Sequence, residues 1–323
     1  MVFFVLSGFL IGKSICNNLS SNIEFNILKY FSDRALRIYP PLIASTLLMV
    51  ALVILAPYFF TSGTNHYLDI TGFNFIRESL TTNSKQIFGS LLFVNGFHTS
   101  TPSANGPLWS LSIEVWYYIL AGGVFLWPSK KIIASLIIAL TIIITYKNPM
   151  FFMLLPIWFS GLGLSFIHRQ RPQMNNALFS ILFILFGVGT IYCIYLKLTQ
   201  PLGSPSALQD SMTYFMISSG LWFTSFLALI LGKVAKFPTL LSSAASYSYT
   251  LYIIHFPIIL FVVGMTQEIF IDSISNAIAI SAFTIVTAVT VSVWLSKIVE
   301  NKRTIEKFIF KTLDRLNLLR KAS

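Results

Sequence analysis

The chain has 323 residues, of which 55% are hydrophobic and 10% charged, and its mean hydropathy is +0.76. Soluble domains carry about 25% charged residues, so this composition excludes a soluble globular protein and indicates a polytopic membrane protein. The formal net charge of +11 would also suit a nucleic-acid-binding protein, but the positions of the basic residues, given below, explain the charge without nucleic acid.

The first apolar run covers residues 1–12 and ends at Lys13. It is too short to cross a bilayer unaided, because a spanning helix needs about 20 apolar residues. Gly8 and Gly12 within it are four residues apart, a spacing typical of closely packed membrane helices. We therefore predict a helix-packing face here and not a phosphate-binding loop.

Eight further apolar runs are long enough to cross a hydrocarbon core of about 30 Å. The sequence thus predicts an all-α transmembrane bundle of about nine spans over residues 1–296, with a separate basic tail at residues 297–323. A shorter run, residues 86–97, is predicted to be interfacial or re-entrant. The eight predicted spans are residues 38–60, 107–127, 131–147, 149–167, 177–196, 212–232, 247–265 and 275–296.

Two arginines, Arg34 and Arg37, lie in FSDRALRIYPP at the start of the second predicted span. Being three apart they share a helix face, and with the positive end of that helix they predict a site for a polyanion. The alternative is ordinary positive charge at a cytoplasmic helix end. Pro40 and Pro41 follow, so we expect the helix to bend or restart there.

If the spans alternate in direction, 18 of the 22 basic residues fall on one side of the membrane. Cytoplasmic loops collect Lys and Arg, so we predict a multi-pass protein of the bacterial plasma membrane with its C-terminus in the cytoplasm. Membrane lipids, and not nucleic acid, are the partners this distribution predicts. The tail has apolar residues at near-helical spacing, which suits an amphipathic helix on the inner leaflet or a solvated helix.

Glu114, in NGPLWSLSIEVWYYIL, is the one acidic residue of 11 placed inside a predicted span. A charged residue at that depth costs roughly 2.5–3.5 kcal/mol on insertion scales, so it indicates a functional group or a buried partner. Helical spacing puts Ser110 and Tyr117 on its face, and we expect this stripe to point into the bundle. Acid–base catalysis and a simple hydrogen bond across helices both remain open.

His255, in YSYTLYIIHFPI, is the one histidine predicted in mid-membrane. It is a candidate acid or base; the alternative is a ring that donates to a backbone carbonyl freed by Pro257. No metal is predicted, because the spans contain no His, Asp or Glu group with ligand spacing, and two cysteines, Cys16 and Cys193, are too few for a disulfide framework.

The order FFVLSGFLIG, DRALRIYPP, GPLWSLSIEVWYY, SYSYTLYIIHFPI and WLSKIVE resembles the membrane acyltransferase-3 family of O-acyltransferases over nearly the whole chain. The resemblance implies transfer of an acyl group, such as acetyl, from cytosolic acyl-CoA to a sugar hydroxyl of a surface polysaccharide or its lipid-linked precursor, with no bound cofactor. It implies that Arg34 and Arg37 engage the acyl-CoA. The catalytic candidates in this chain remain Glu114 and His255, and the residues expected to line the cavity are Ser7, Trp109, Ser110 and Tyr117.

Members of this family are expected to have ten spans. They open with an additional span that carries an arginine and, eleven positions later, a histidine regarded as catalytic. This chain opens directly on VFFVLSGF. We therefore expect a truncated or mis-started member, inactive unless His255 replaces the missing base.

The alternatives are a transporter or flippase in which Glu114 and His255 relay protons, and a non-catalytic scaffold. Transporters often contain inverted repeats, and the two halves of this sequence show no convincing similarity. The arginines clustered on one helix face suit a donor pocket better.

Overall fold

The computed structural model describes residues 1–69, 77–170, 175–199, 205–234, 243–301 and 305, with the side chains of 205–211 left out. Within these ranges every regular element is a helix, which confirms the predicted all-α class. Two 3-10 turns, Ser103–Asn105 and Ser243–Ser246, complete the set. The helices are α1 (Val2–Ser21), α2 (Ile27–Phe59), α3 (Ser84–Leu91), α4 (Leu108–Leu126), α5 (Lys131–Thr145), α6 (Pro149–Gln170), α7 (Asn176–Thr199), α8 (Pro205–Leu231), α9 (Ser248–Met265), α10 (Gln267–Asp272) and α11 (Ile274–Val299).

Eight helices in the described part of the chain are long and apolar enough to cross a membrane, and α5 is a ninth, shorter apolar helix of 15 residues. The predicted polytopic bundle of about nine spans is thereby confirmed. The predicted tail helix at residues 297–323 lies almost entirely outside the described residues.

The expectation that the first run is too short to cross is wrong, because α1 continues past Lys13 to Ser21 and has 20 residues. Lys13 is exposed and its Nζ lies 5.9 Å from the Phe9 ring. A long lysine side chain can keep its stem on apolar surface while its ammonium group reaches water, so one charge does not end the helix. The backbone becomes extended at Asn22.

Of the two alternatives at Pro40 and Pro41, the restart is wrong, because α2 is continuous over 33 residues; a bend there stays a prediction. Each proline removes one N–H from the helical hydrogen bonds, but the turns on either side keep theirs and the helix continues. As a result Arg34 and Arg37 lie within α2 instead of before it. The shorter run at residues 86–97 forms only α3, whose eight residues rise about 12 Å and cannot cross.

The chain divides into two units, and the first consists of Met1–Tyr30 and Ile113–Thr239. In it α1 packs closely on α6, where glycines replace side chains on both helices. A methyl group on Gly8 would collide with the carbonyl oxygen of Trp158, and one on Gly161 would collide with that of Val5. Gly12 faces Ser165 one turn further along, so the predicted packing face at Gly8 and Gly12 is confirmed.

The second unit consists of Phe31–Ser112 and Leu240–Ser323. Its core includes Met49, Phe60 and Leu260. The loop after α2 is fixed to this core by the Tyr67 hydroxyl, which donates to the Leu260 carbonyl at 2.9 Å. Burial raises the pKa of Tyr67, so its phenol remains a donor at physiological pH. The Gln267 side chain pairs with the backbone N–H and carbonyl of Leu68 in the same loop.

Candidate active site

Glu114 is buried in the first unit and is hydrogen-bonded through its side chain. It is 4% exposed, and its Oε1 accepts a hydrogen bond from the hydroxyl of Tyr118, one turn further along α4. The Tyr118 hydroxyl also lies 3.1 Å from Oγ of Ser7 on α1. Trp158 on α6 donates its indole N–H to the same Ser7 oxygen at 3.1 Å. Three helices thus converge on one carboxylate.

The predicted stripe of Ser110, Glu114 and Tyr117 is buried, as expected. Its hydroxyls have other partners, however: Tyr117 donates to the Phe151 carbonyl at 2.5 Å, and Ser110 donates to the Pro107 carbonyl at 2.7 Å. The hydroxyl that reaches Glu114 is that of Tyr118, which the sequence analysis missed. Its signal was available, since Tyr118 lies four residues after Glu114 and shares its helix face.

Ser110 and Trp109 belong to the second unit, in the first turn of α4. The Ser110 hydroxyl is hydrogen-bonded to that of Tyr252 on α9. Trp109 is half-buried. The pair of hydroxyls joins α4 to α9 within this unit.

His255 lies on α9, half-buried, with Nδ1 3.0 Å from the carbonyl oxygen of Leu251. A carbonyl can only accept, so Nδ1 donates in this bond, and Nε2 is the ring nitrogen left for another partner. The rings of Tyr252 and Phe256 each lie 6.4 Å from the imidazole, centroid to centroid.

The alternative in which His255 donates to a backbone carbonyl is confirmed in part, because the ring does bond to one, but the carbonyl is that of Leu251 and not the one freed by Pro257. A proline leaves the carbonyl four residues earlier without its helical N–H, which here is that of Ile253. This carbonyl accepts from the Ser45 hydroxyl at 2.7 Å and from the Asn105 amide at 2.9 Å. His255 uses the carbonyl of Leu251 instead.

Arg34 and Arg37 both line a cleft of about 520 Å³ in the second unit. Arg34 is half-buried and Arg37 is exposed. The remaining lining comes from the same turn of α2, from the 3-10 turn before α9 and from the end of α11: Asp33, Leu36, Ala245, Ser246, Glu300 and Ile305. The sequence analysis predicted the arginine pair and did not predict the two carboxylates.

Glu300 has a second contact that fixes the cleft wall. Its Oε1 accepts from the backbone N–H of Thr250 at 3.0 Å and from the Thr250 hydroxyl at 2.5 Å. Thr250 lies in the first turn of α9, where backbone N–H groups have no helical partner. The carboxylate at the end of α11 therefore caps α9.

The described residues contain no group of three His, Cys, Asp or Glu side chains that could hold a metal ion. Both cysteines are free and buried.

Comparison with known proteins gives one finding about the whole chain. A family described as "Acyltransferase domain" matches residues 1–297. No curated protein and no solved structure matches the chain.

Proposed function

Since the chain belongs to the acyltransferase-3 family, we propose that it is a membrane O-acyltransferase that moves an acyl group, acetyl in the first instance, from cytosolic acyl-CoA to a hydroxyl of a surface or lipid-linked polysaccharide. The observation that carries this proposal is the cleft that Arg34 and Arg37 line together. Family membership favours group transfer over the proton-coupled transport that Glu114 and His255 would also suit.

The cleft suits a phosphorylated donor because guanidinium groups bind phosphate oxygens in a planar, bidentate fashion. Arg37 is exposed and Arg34 half-buried, so phosphates can reach both from water. The carboxylates of Asp33 and Glu300 on the same cleft keep it from being uniformly cationic. We expect this balance to make donor binding sensitive to salt.

His255 is the proposed base. Its Nε2 takes the proton of the sugar hydroxyl while the sugar oxygen attacks the thioester carbonyl, and a C–O bond forms. The tetrahedral intermediate then breaks its C–S bond, and the CoA thiolate leaves and takes up the proton from the imidazolium. Buried donors stabilise the oxyanion. The products are an acylated sugar and free CoA, with no cofactor required.

The test uses membranes containing the full chain, radiolabelled acetyl-CoA and the envelope glycan of the host. We expect label in the glycan. Arg37→Gln should raise the donor KM about 10- to 100-fold, because a charge-assisted hydrogen bond is lost. His255→Gln should lower the transfer rate at least about 100-fold.

Two matched variants serve as controls. Lys29→Gln removes an exposed positive charge from the same helix outside the cleft, and His66→Gln replaces an exposed histidine in a loop. Both should retain wild-type transfer. Absence of label from the wild-type chain, or label that persists in both Arg37→Gln and His255→Gln, would contradict the proposal.

A further inference from the structure

Four side chains of the first unit form a continuous chain of hydrogen bonds that ends on Glu114. The indole N–H of Trp158 donates to Ser7 at 3.1 Å, the Ser7 and Tyr118 hydroxyls lie 3.1 Å apart, and Tyr118 donates to Glu114. Ser7 is 6% exposed, Glu114 4% and Trp158 0%. The chain is therefore largely shielded, and its bonds are stronger than the same bonds in water.

The two ends of this chain fix its direction. An indole N–H can only donate, and an ionised carboxylate can only accept. Because the one proton of the Tyr118 hydroxyl goes to Glu114, the Ser7 hydroxyl must donate to Tyr118. Three donors in series then point toward Glu114, an arrangement in which each bond polarises and strengthens the next.

Packing of the backbone holds the chain in place. Gly8, next to Ser7, lies against the carbonyl of Trp158, and Gly161 lies against the carbonyl of Val5. These close contacts hold the backbones of α1 and α6 together and so keep the Ser7 hydroxyl beside the Trp158 indole. The Tyr118 backbone is fixed as well, since its carbonyl accepts from the Tyr30 hydroxyl at 3.1 Å.

On the basis of the acyl-transfer function above, we propose that Tyr118 is a positioning residue that, with Ser7 and Trp158 behind it, holds Glu114 as an oriented carboxylate during transfer. Glu114 acts on the reaction and Tyr118 acts through Glu114. A carboxylate in a membrane-spanning helix is retained as an anion only if donors replace its hydration, and Tyr118 supplies one such donor, to Oε1.

Two other titratable groups of this unit lie around the chain and are present in the wild type, in Tyr118→Phe and in Ser7→Ala. They are the phenols of Tyr30 and Tyr117 beside the chain. The charged groups of the packed helices are more distant: Lys13 is exposed and six residues from Ser7 on α1, about 9 Å along the axis. Arg169, near the end of α6, lies eleven residues after Trp158, about 16 Å away, and donates to Asn17. On α8, the stretch Met212–Leu231 contains no His, Asp, Glu, Lys or Arg.

The decisive variant is Tyr118→Phe, which removes the last donor and keeps the ring. With the full chain in membranes and acetyl-CoA as donor, we expect kcat to fall at least about tenfold while the donor KM stays within about twofold. The acid limb of the pH–rate profile should move toward higher pH, because the charged carboxylate has lost a donor. Ser7→Ala, which interrupts the chain one step earlier, should give a smaller shift in the same direction.

Tyr67→Phe is the control, since it removes the same atom from a tyrosine of the second unit. The Tyr67 hydroxyl donates to the Leu260 carbonyl at 2.9 Å, so this variant should lose thermal stability and keep the acid limb where it is. Equal shifts in the two tyrosine variants, or an unshifted limb in Tyr118→Phe, would overturn the positioning role.

Infrared pH titration of the purified chain provides a readout that does not depend on transfer. The Glu114 carboxyl band is identified by its loss in Glu114→Gln, and in Tyr118→Phe it should titrate at higher pH than in the wild type. If no variant transfers acetyl, the acyl-transfer function fails, and a Glu114 band that titrates at the same pH in both chains overturns the role of Tyr118 separately.

Discussion

Three polar side chains of the described residues that would be costly in a membrane each form a hydrogen bond. Glu114 is matched to Tyr118, His255 to the Leu251 carbonyl and Asn105 to the Ile253 carbonyl that Pro257 leaves open. The sequence identified Glu114 and His255, because an ionisable residue among apolar ones is visible without a structure. It did not identify their partners, because spacing alone leaves both i+3 and i+4 neighbours as candidates, and the choice depends on side-chain rotamers.

Two substitutions of Glu300 should change the donor KM in opposite directions. Glu300→Gln keeps an oxygen that can accept from Thr250 and removes a negative charge from the cleft, so the donor KM should fall. Glu300→Ala removes the cap from α9, and loss of such a cap costs about 0.5–2 kcal/mol, so the cleft wall should loosen and the donor KM should rise. Both are measured as the dependence of acetyl transfer on acetyl-CoA concentration.

Glu268→Gln is the control for these two variants, because Glu268 is an exposed acidic residue in the first turn of α10 and does not line the cleft. It should keep the wild-type KM. A KM that changes in the same direction in Glu300→Gln and Glu300→Ala would show that charge and capping are not separable at this position.

At the scale of helices, the sequence predicted the face of α1 that packs but did not predict which face of α6 it packs against. The spacing of Gly8 and Gly12 is a local pattern and indicates a packing face. That the opposite face consists of Gly161 and Ser165 on α6 was not predictable, because the pairing joins residues far apart in the chain. The helix ends were the least predictable feature: α1 runs past Lys13 because one snorkelling charge costs little.

Gly161→Ala should destabilise the protein by about 2 kcal/mol, because the added methyl group overlaps the Val5 carbonyl and forces the two backbones apart. Gly163→Ala, two residues later on the same helix, should be harmless, since nothing lies within 4 Å of the position its methyl group would occupy. Thermal unfolding in detergent measures both. Equal melting temperatures for the two variants would contradict the close packing of α1 and α6.

At the scale of the whole molecule, hydropathy predicts the number of apolar segments, and α5 is the segment on which the alternating arrangement depends. Its 15 residues rise about 22 Å, less than a hydrocarbon core of about 30 Å. Exposed Trp127 and Tyr146 and the lysines at 130, 131 and 147 flank it. Such residues are typical of the interface at both ends of a spanning helix, and a short span is tolerated by local thinning of the bilayer.

Cysteine labelling of intact cells tests this arrangement. Lys130→Cys and Lys147→Cys place single thiols at the two exposed ends of α5, and both native cysteines are buried, which keeps background labelling low. A membrane-impermeant maleimide should label position 147 from outside and position 130 only after lysis. Labelling of both positions from the same side would show that α5 does not cross and would reverse the predicted side of the C-terminus.

The length of α2 has a consequence for competition at the membrane surface. Its 33 residues rise about 50 Å, well beyond the hydrocarbon thickness, so its first turns, with Arg34 and Arg37, emerge at the level of the lipid headgroups. Phosphatidylglycerol and cardiolipin present phosphates at that same depth. In a bilayer rich in these lipids, the proposed thioester substrate would have to displace them before it could occupy the arginines, and lipid composition would then set the concentration of substrate at which the protein becomes saturated.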